Sequence, residues 1–302
     1  TTIFRCSAEH LQVDWVYIMT PLRQQFLDEM TVRRFSAKTQ TCYLHWVVEL
    51  SKVYQMSPDL LSDEQISLYL RSLTKDRQLS GSTCSQALNA VMFFYRMVLK
   101  REFKERLVPP MKRDSKIPEL LNRKEVRDII SHCRSLKYQS ALEICYGCGL
   151  RVSEVVSLYV KDIDGVAKRL HVHQGKGNKD RFVPLSDNQL NHLRNYWRHY
   201  HPTVALFPSR EPEKQMDISS LQKCFKAAKV AAGIKKLGGI HALRHAYATH
   251  QLEAGMPLNI LQRHLGHSNI KTTLRYTHWI GHYNENARCS EFDLVGRLWE
   301  VE

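Results

Sequence analysis

Residues near the C-terminal end could together do chemistry on a phosphodiester. His241-Ala242-Leu243-Arg244 sets His241 and Arg244 three residues apart, which puts both on one face of a helix. An arginine fork holds two phosphate oxygens at once, and a histidine donates or accepts a proton near neutral pH. Leu243 and Tyr247 form a neighbouring stripe that can pack inward. Further on, Leu265-Gly266-His267-Ser268 marks a helix–helix junction, with Ser268 placed to cap a helix over 269–277 that carries Tyr276. Cleaving a phosphodiester without a metal needs a nucleophile, cationic donors around the phosphate oxygens and an acid for the leaving oxygen. Tyr276, Arg244 and the two histidines are of those types. A magnesium route draws on clustered carboxylates. Asp162 and Asp164, in Lys-Asp-Ile-Asp-Gly, fit turn residues ahead of a hairpin instead, and no metal ligand set and no cofactor are expected. Each piece alone has an ordinary alternative: a solvated helix face for His-x-x-Arg, a capping or core histidine for His267, a half-buried tyrosine for Tyr276.

These residues need a scaffold, and the chain predicts one in two parts. Residues 1–18 are expected to be an N-terminal extension, with a partly ordered arm as the alternative. Four amphipathic stretches follow within 19–107. Leu22, Phe26, Leu27 and Met30 share one face; Tyr43, Trp46, Val47 and Leu50 repeat after a cap at Ser36; Ile66, Leu68, Tyr69 and Leu70 follow Ser62; and Leu88 to Leu99 follow Ser82. This is a small helical domain whose aromatic residues belong to its core. Val108-Pro109-Pro110 through Pro118 reads as an extended linker over 108–118. Asn122 and Glu125 then have capping-box spacing at the start of a second domain, 119–302. There, residues 137–146 are helical, Gly147 and Gly149 break the helix, and a short helix runs over 152–158. Leu170 and Val172 alternate in a strand that returns over 181–185 after the turn Gly175-Lys176-Gly177-Asn178-Lys179-Asp180. Helices are expected over 187–199, 218–232, 241–254 and 257–265. The fold class is therefore mainly α with a small β-hairpin: a helical N-terminal domain joined to a mixed α+β domain.

The composition narrows the partner. Across 302 residues, 44 Lys and Arg stand against 30 Asp and Glu, a formal charge of +14. Residues 1–110 hold 14 basic against 11 acidic residues, leaving 30 against 19 for the rest. Such a surplus points to a polyanion, with nucleic acid ahead of a membrane surface, because no apolar run of about 18 residues is present. The eight cysteines (Cys6, Cys42, Cys84, Cys133, Cys145, Cys148, Cys224, Cys289) have no framework spacing and read as reduced thiols of a cytoplasmic protein. Cys145-x-x-Cys148 lacks a second pair and fits core packing.

Five motifs in order carry a family resemblance: Gly149-Leu150-Arg151-Val152-Ser153-Glu154, Gly175-Lys176-Gly177-Asn178-Lys179, His241-Ala242-Leu243-Arg244-His245, Leu265-Gly266-His267-Ser268 and Thr273-Leu274-Arg275-Tyr276-Thr277-His278. Over about 119–280 the chain resembles tyrosine recombinases of the Xer and phage-integrase kind. The resemblance implies a DNA strand transferase, working without metal or ATP, that integrates, excises or resolves a mobile element or replicon. It implies Arg151 and Arg244 as a phosphate clamp, and His241 and His267 as groups that move protons and bind phosphate oxygen. Lys176 would be the acid for the leaving 5′-oxygen, and Tyr276 the nucleophile forming a 3′-phosphotyrosine. Glu154 matches a supporting acidic position, with an ordinary first-turn acid as the alternative. Lys179 and Arg181 would touch the DNA backbone. Lys38, Thr39 and Arg96 of the helical domain could also touch DNA, with plain solvent exposure as the alternative for each, and the two domains, joined by the 108–118 linker, would clamp the duplex from opposite sides. The implied partner is double-stranded DNA with an inverted-repeat site, bound by a homotetramer.

Two other functions share parts of this reading. A type IB topoisomerase would use the same tyrosine chemistry on any duplex, and the modest helical domain argues against it. A non-catalytic DNA-binding regulator would not need the full residue set. His241 follows Lys176 by 65 positions, which leaves no room for the extra helix of integron integrases. The tail places Leu294, Val295, Leu298 and Trp299 at helical spacing, an apolar face for a neighbouring subunit or for its own domain.

Overall fold

The computed structural model describes residues 21–102, 119–173 and 180–277. The N-terminal extension, the 108–118 linker, Lys176, Lys179 and the tail helix lie outside the described residues. The chain divides into two compact units, Thr1–Lys116 and Ile117–Glu302.

In the first unit, local capping sets each helix start. α1 spans Pro21–Val32. α2 spans Ala37–Tyr54, with the Ser36 hydroxyl accepting from the Thr39 amide. α3 spans Asp63–Lys75 behind a full capping box of Ser62 and Gln65. α4 spans Gly81–Phe93 and is capped by Ser80, two residues ahead of the expected Ser82. The expected single run to Leu99 changes at Phe94–Val98 into a wider π turn. Phe26, Leu50, Ile66, Leu70, Val91 and Tyr95 are buried in one core as expected, whereas Leu68 lies on the exposed side of α3. Tyr69 and Tyr95 lie inside it, so these rings are packing groups and not a base-stacking platform.

The second unit opens with α5, Arg123–Ser131, whose capping box of Asn122 and Glu125 has both hydrogen bonds. α6 spans Leu136–Gly147. Gly149 follows with φ +61°, and a Cβ there would sit 2.3 Å from the Tyr247 ring, so glycine is required on both counts. α7 is short, Val152–Val156, and ends before the expected Leu158.

A three-stranded antiparallel sheet comes next: β1 Ile163–Asp164, β2 Arg169–Val172 and β3 Arg181–Pro184, in that order. Leu170 and Val172 point to the core as their alternation requires. The first strand corrects the reading of Asp162 and Asp164 as mere turn residues. Asp164 pairs with Arg169 in β1. Asp162 is buried, accepting from the Tyr159 amide at 2.8 Å and bonding the His173 ring at 2.8 Å.

Helices α8 Asp187–Tyr200, α9 Ile218–Ala231, α10 His241–Glu253 and α11 Leu258–Leu265 pack on this frame. α12 covers only Ile270–Leu274, and its cap is Asn269, not Ser268. The fold is mainly α with one small sheet. All six cysteines among the described residues are free thiols, with Cys145 and Cys148 buried in the core. No helix among the described residues is long and apolar enough to cross a membrane.

Candidate active site

Arg244 is the centre of the site. It sits in the first turn of α10, and only 1% of it is exposed. One end of its guanidinium donates to the Gly149 carbonyl at 2.7 Å. The other donates to the Leu265 carbonyl at 2.5 Å and to His267 Nε2 at 3.1 Å. The bend at Gly149 and the left-handed cap at Gly266 that ends α11 thus both present carbonyls to one arginine. Burial first, then the Arg151 charge, lowers its pKa to about 10, which still leaves a cation at neutral pH.

His267 is fixed from both sides. Its Nδ1 bonds the Thr273 hydroxyl at 2.9 Å, and since an arginine can only donate, its Nε2 accepts from Arg244. Its ring lies parallel to that of Tyr276, 8° apart in plane and 6.4 Å between centroids.

Tyr276 is placed by the early end of α12. Its amide bonds the Thr273 carbonyl, so it lies in a turn and not on the expected helix over 269–277. That turn swings the ring inward against Tyr247, Ala248, Leu261 and Leu265. Its hydroxyl meets His245 Nδ1 at 3.0 Å. Burial raises the phenol pKa, while the Arg244, Arg151 and Arg275 charges pull it back down. His245 is lowered to about 4 by burial, helped by His241 and Arg244, so its ring is neutral at pH 7. His241 stands one turn earlier, its ring edge-on to His245 at 4.6 Å. Desolvation and the Arg244 and Arg151 charges lower it as well.

Glu154 closes the group from α7. Its two oxygens accept a fork from Arg181 at 3.0 and 2.8 Å, one bond from Arg151 Nη1 at 2.7 Å and one from the Arg151 amide at 2.8 Å. Arg244 Nη1 lies 3.7 Å away. Burial alone would raise this carboxyl, but the Arg181 hydrogen bonds and charge, with those of Arg151, hold it at about 2. Glu154 is thus an ionised anchor for three guanidiniums.

The structure brings Arg151, Glu154, His241, Arg244, His267 and Tyr276 into one charge-coupled neighbourhood. It moves Arg181 out of the expected backbone-contact set: its side chain is 9% exposed, and its Nε bonds the His264 carbonyl at 2.8 Å. Arg181 is committed to Glu154 and α11. Lys38 is exposed at the start of α2, Thr39 bonds Ser36 there, and Arg96 is exposed in the π turn of the first unit. Sequence reasoning gave no role to His245, although its spacing of four from His241 put it on the same helix face.

In chemical terms the site is a buried phenol with a neutral imidazole on its oxygen, beside a fixed arginine–histidine pair suited to an anionic tetrahedral group. Residues 119–280 match the phage integrase family, and residues 22–105 match the N-terminal SAM-like domain of phage integrases. The chain is 37% identical over 282 residues to y4qK of Sinorhizobium fredii, which carries an integrase/recombinase name; the match covers 93% of this chain and 91% of that one. It is 30% identical over 253 residues to the tyrosine recombinase XerD of Oceanobacillus iheyensis, covering 79% and 84%. Among solved structures it resembles XerA recombinase, with TM-score 0.51 and 26% identity, covering 88% of this chain and 98% of that one.

Proposed function

The chain belongs to the phage integrase family of tyrosine recombinases, enzymes of site-specific DNA recombination, and from that premise we propose that Tyr276 is the nucleophile that opens the DNA strand. The observation that carries this is the Tyr276 hydroxyl held on His245 beside the Arg244–His267 pair. The phenol oxygen attacks the scissile phosphorus and the bond to the 5′-oxygen breaks, leaving a 3′-phosphotyrosine and a free 5′-hydroxyl. His245 takes the phenol proton. Arg244 and Arg151 stabilise the charge gathering on the phosphate oxygens, His267 orients the Arg244 guanidinium through its Nε2, and His241 assists from the start of α10. Lys176 hands a proton to the leaving oxygen. The tyrosyl ester keeps the bond energy, so a second DNA hydroxyl reseals the strand without ATP. The test is a duplex nicked close to the crossover point, on which a covalent protein–DNA adduct should accumulate.

His245→Ala should slow adduct formation by about 10²-fold at neutral pH, the low end of what a positioned base contributes. The deficit should shrink as pH rises toward about 9, because solvent hydroxide then replaces the missing base. A deficit that stays constant with pH would show that His245 only holds the ring in place.

The proposed partner is double-stranded DNA with inverted half-sites, bound by four copies of the chain during integration, excision or resolution. A structure of XerH recombinase bound to its difH substrate, captured before cleavage, shares this fold at TM-score 0.68. The apolar spacing of Leu294, Val295, Leu298 and Trp299 supports docking of the tail on a neighbouring subunit. Deleting residues 290–302 should weaken assembly of the multi-subunit complex by at least ~10-fold, about 1.4 kcal/mol, with little change in binding of one subunit. Equal losses of both in a gel-shift titration would place the tail on its own domain.

A further inference from the structure

A second group of side chains has the composition and spacing of a metal site. β2 alternates, so while Leu170 and Val172 face the core, His171 and His173 face the other side. Phe182, the register partner of His171, stacks on its ring, with 4.6 Å between centroids. Asp180 leads into β3 on the same side. His171 Nε2 lies 3.2 Å and His173 Nδ1 3.6 Å from one oxygen of Asp180. The three ligand atoms all lie within 4.8 Å of one another. Tetrahedral zinc with bonds of about 2.0–2.1 Å sets its ligand atoms roughly 3.3 Å apart. Two of the three edges therefore already have about the right length.

The support behind His173 points the same way. Its Nε2 meets the buried Asp162 carboxylate at 2.8 Å, and the other Asp162 oxygen is held by the Tyr159 amide at 2.8 Å. A carboxylate only accepts, so Nε2 carries a proton toward Asp162, and Nδ1 is the ring nitrogen that faces Asp180. A carboxylate behind the far nitrogen of a ligating histidine is the arrangement that orients zinc ligands and raises their basicity.

We propose that His171, His173 and Asp180 bind one zinc(II) ion, oriented by Asp162, on the outer face of the hairpin. Two imidazoles with one carboxylate select zinc over magnesium or calcium, which prefer oxygen ligands throughout. A fourth position is left for water. The ion ties the end of β2 to the start of β3. This site does not depend on the assignment of Tyr276.

The test uses the full chain, stripped of metal and kept reduced, titrated with zinc alone against a chromophoric chelator and with cobalt(II) for its absorption spectrum. One equivalent should bind, with d–d bands and no thiolate charge-transfer band. Replacing both His171 and His173 by alanine should remove that equivalent. Asp162→Asn should weaken it by about 10–100-fold without touching a ligand, and Asp180→Asn, at an exposed position, by about 10-fold. Three results would overturn the proposal: no binding by the unaltered chain, binding unchanged by the double substitution, or a thiolate band showing cysteines as the ligands. Circular dichroism of each variant separates lost binding from lost fold.

Discussion

Tyr276→Phe abolishes the covalent protein–DNA adduct and leaves DNA binding within about threefold, less than 1 kcal/mol. The substitution removes one oxygen. The ring keeps its packing against Tyr247, Leu261 and Leu265, and the turn is held by the Tyr276 amide on the Thr273 carbonyl. The lost hydrogen bond to His245 is worth about 1 kcal/mol, with roughly 1–3 kcal/mol for an imidazole nitrogen left unpaired inside the protein. A cooperative domain tolerates that. The Arg244–His267 hydrogen bond does not involve the phenol, so the cationic pair proposed to hold phosphate persists. Binding and chemistry should therefore separate. A nicked duplex read on a denaturing gel gives the adduct, and a native gel gives binding. An adduct that survives at the unaltered rate would falsify the nucleophile assignment. Loss of binding alongside loss of the adduct would mean that Tyr276 holds the fold and not only the chemistry.

Local rules were readable wherever the physics is local. The caps at Ser36, Ser62 and Asn122 are set by side chains within three residues of the amides they serve, and each forms as expected. Leu170 and Val172 face inward because a strand has a period of two. The start of α4 was misread because Ser80-Gly81-Ser82 offers two caps, and the first one wins. β1 stayed hidden because two residues cannot display a period. The early end of α12 was equally invisible, since it follows from burying the Tyr276 ring against α10 and α11. The same limit governs the site. Arg244, His267 and Tyr276 can be proposed from sequence because their motifs are short and ordered. Arg181 was misplaced because its partner, Glu154, lies 27 residues earlier, and only the folded hairpin brings the two together. His245 sits next to Arg244 in sequence but reaches the phenol only through the turn after α12.

Glu154→Ala is the substitution expected to cost the most stability, because it removes one anion that serves several buried cations. Arg181 and Arg151 lose their carboxylate partner outright, and Arg244, 1% exposed, loses a countercharge at 3.7 Å. Removing one partner of a buried ion pair costs about 3–5 kcal/mol. For a domain of this size that lowers the melting temperature by roughly 10 °C. The acid behaviour gives an independent measure. The Glu154 carboxyl is held at about 2 in the folded protein, against 4.5 for the free side chain. A depressed carboxylate stabilises the fold above its unfolded pKa and loses that contribution as pH falls. The window is therefore from about pH 4.5 down to about pH 2, and the contribution is roughly 3 kcal/mol. Glu154→Ala should flatten the pH dependence of stability across that window. Replacing Glu154 by leucine and Arg181 by methionine together should recover the part of the loss that comes from Arg181, since that guanidinium is then no longer left buried without its partner, while Arg151 and Arg244 still lack theirs. It should not recover strand cleavage, because Arg151 also takes its position from Glu154, through both its amide and its guanidinium. Thermal melts and adduct yields on the same three proteins decide the matter. A single variant that melts within about 1 kcal/mol of the unaltered chain would show that water already screens these charges, and the arginines would then need some other anchor.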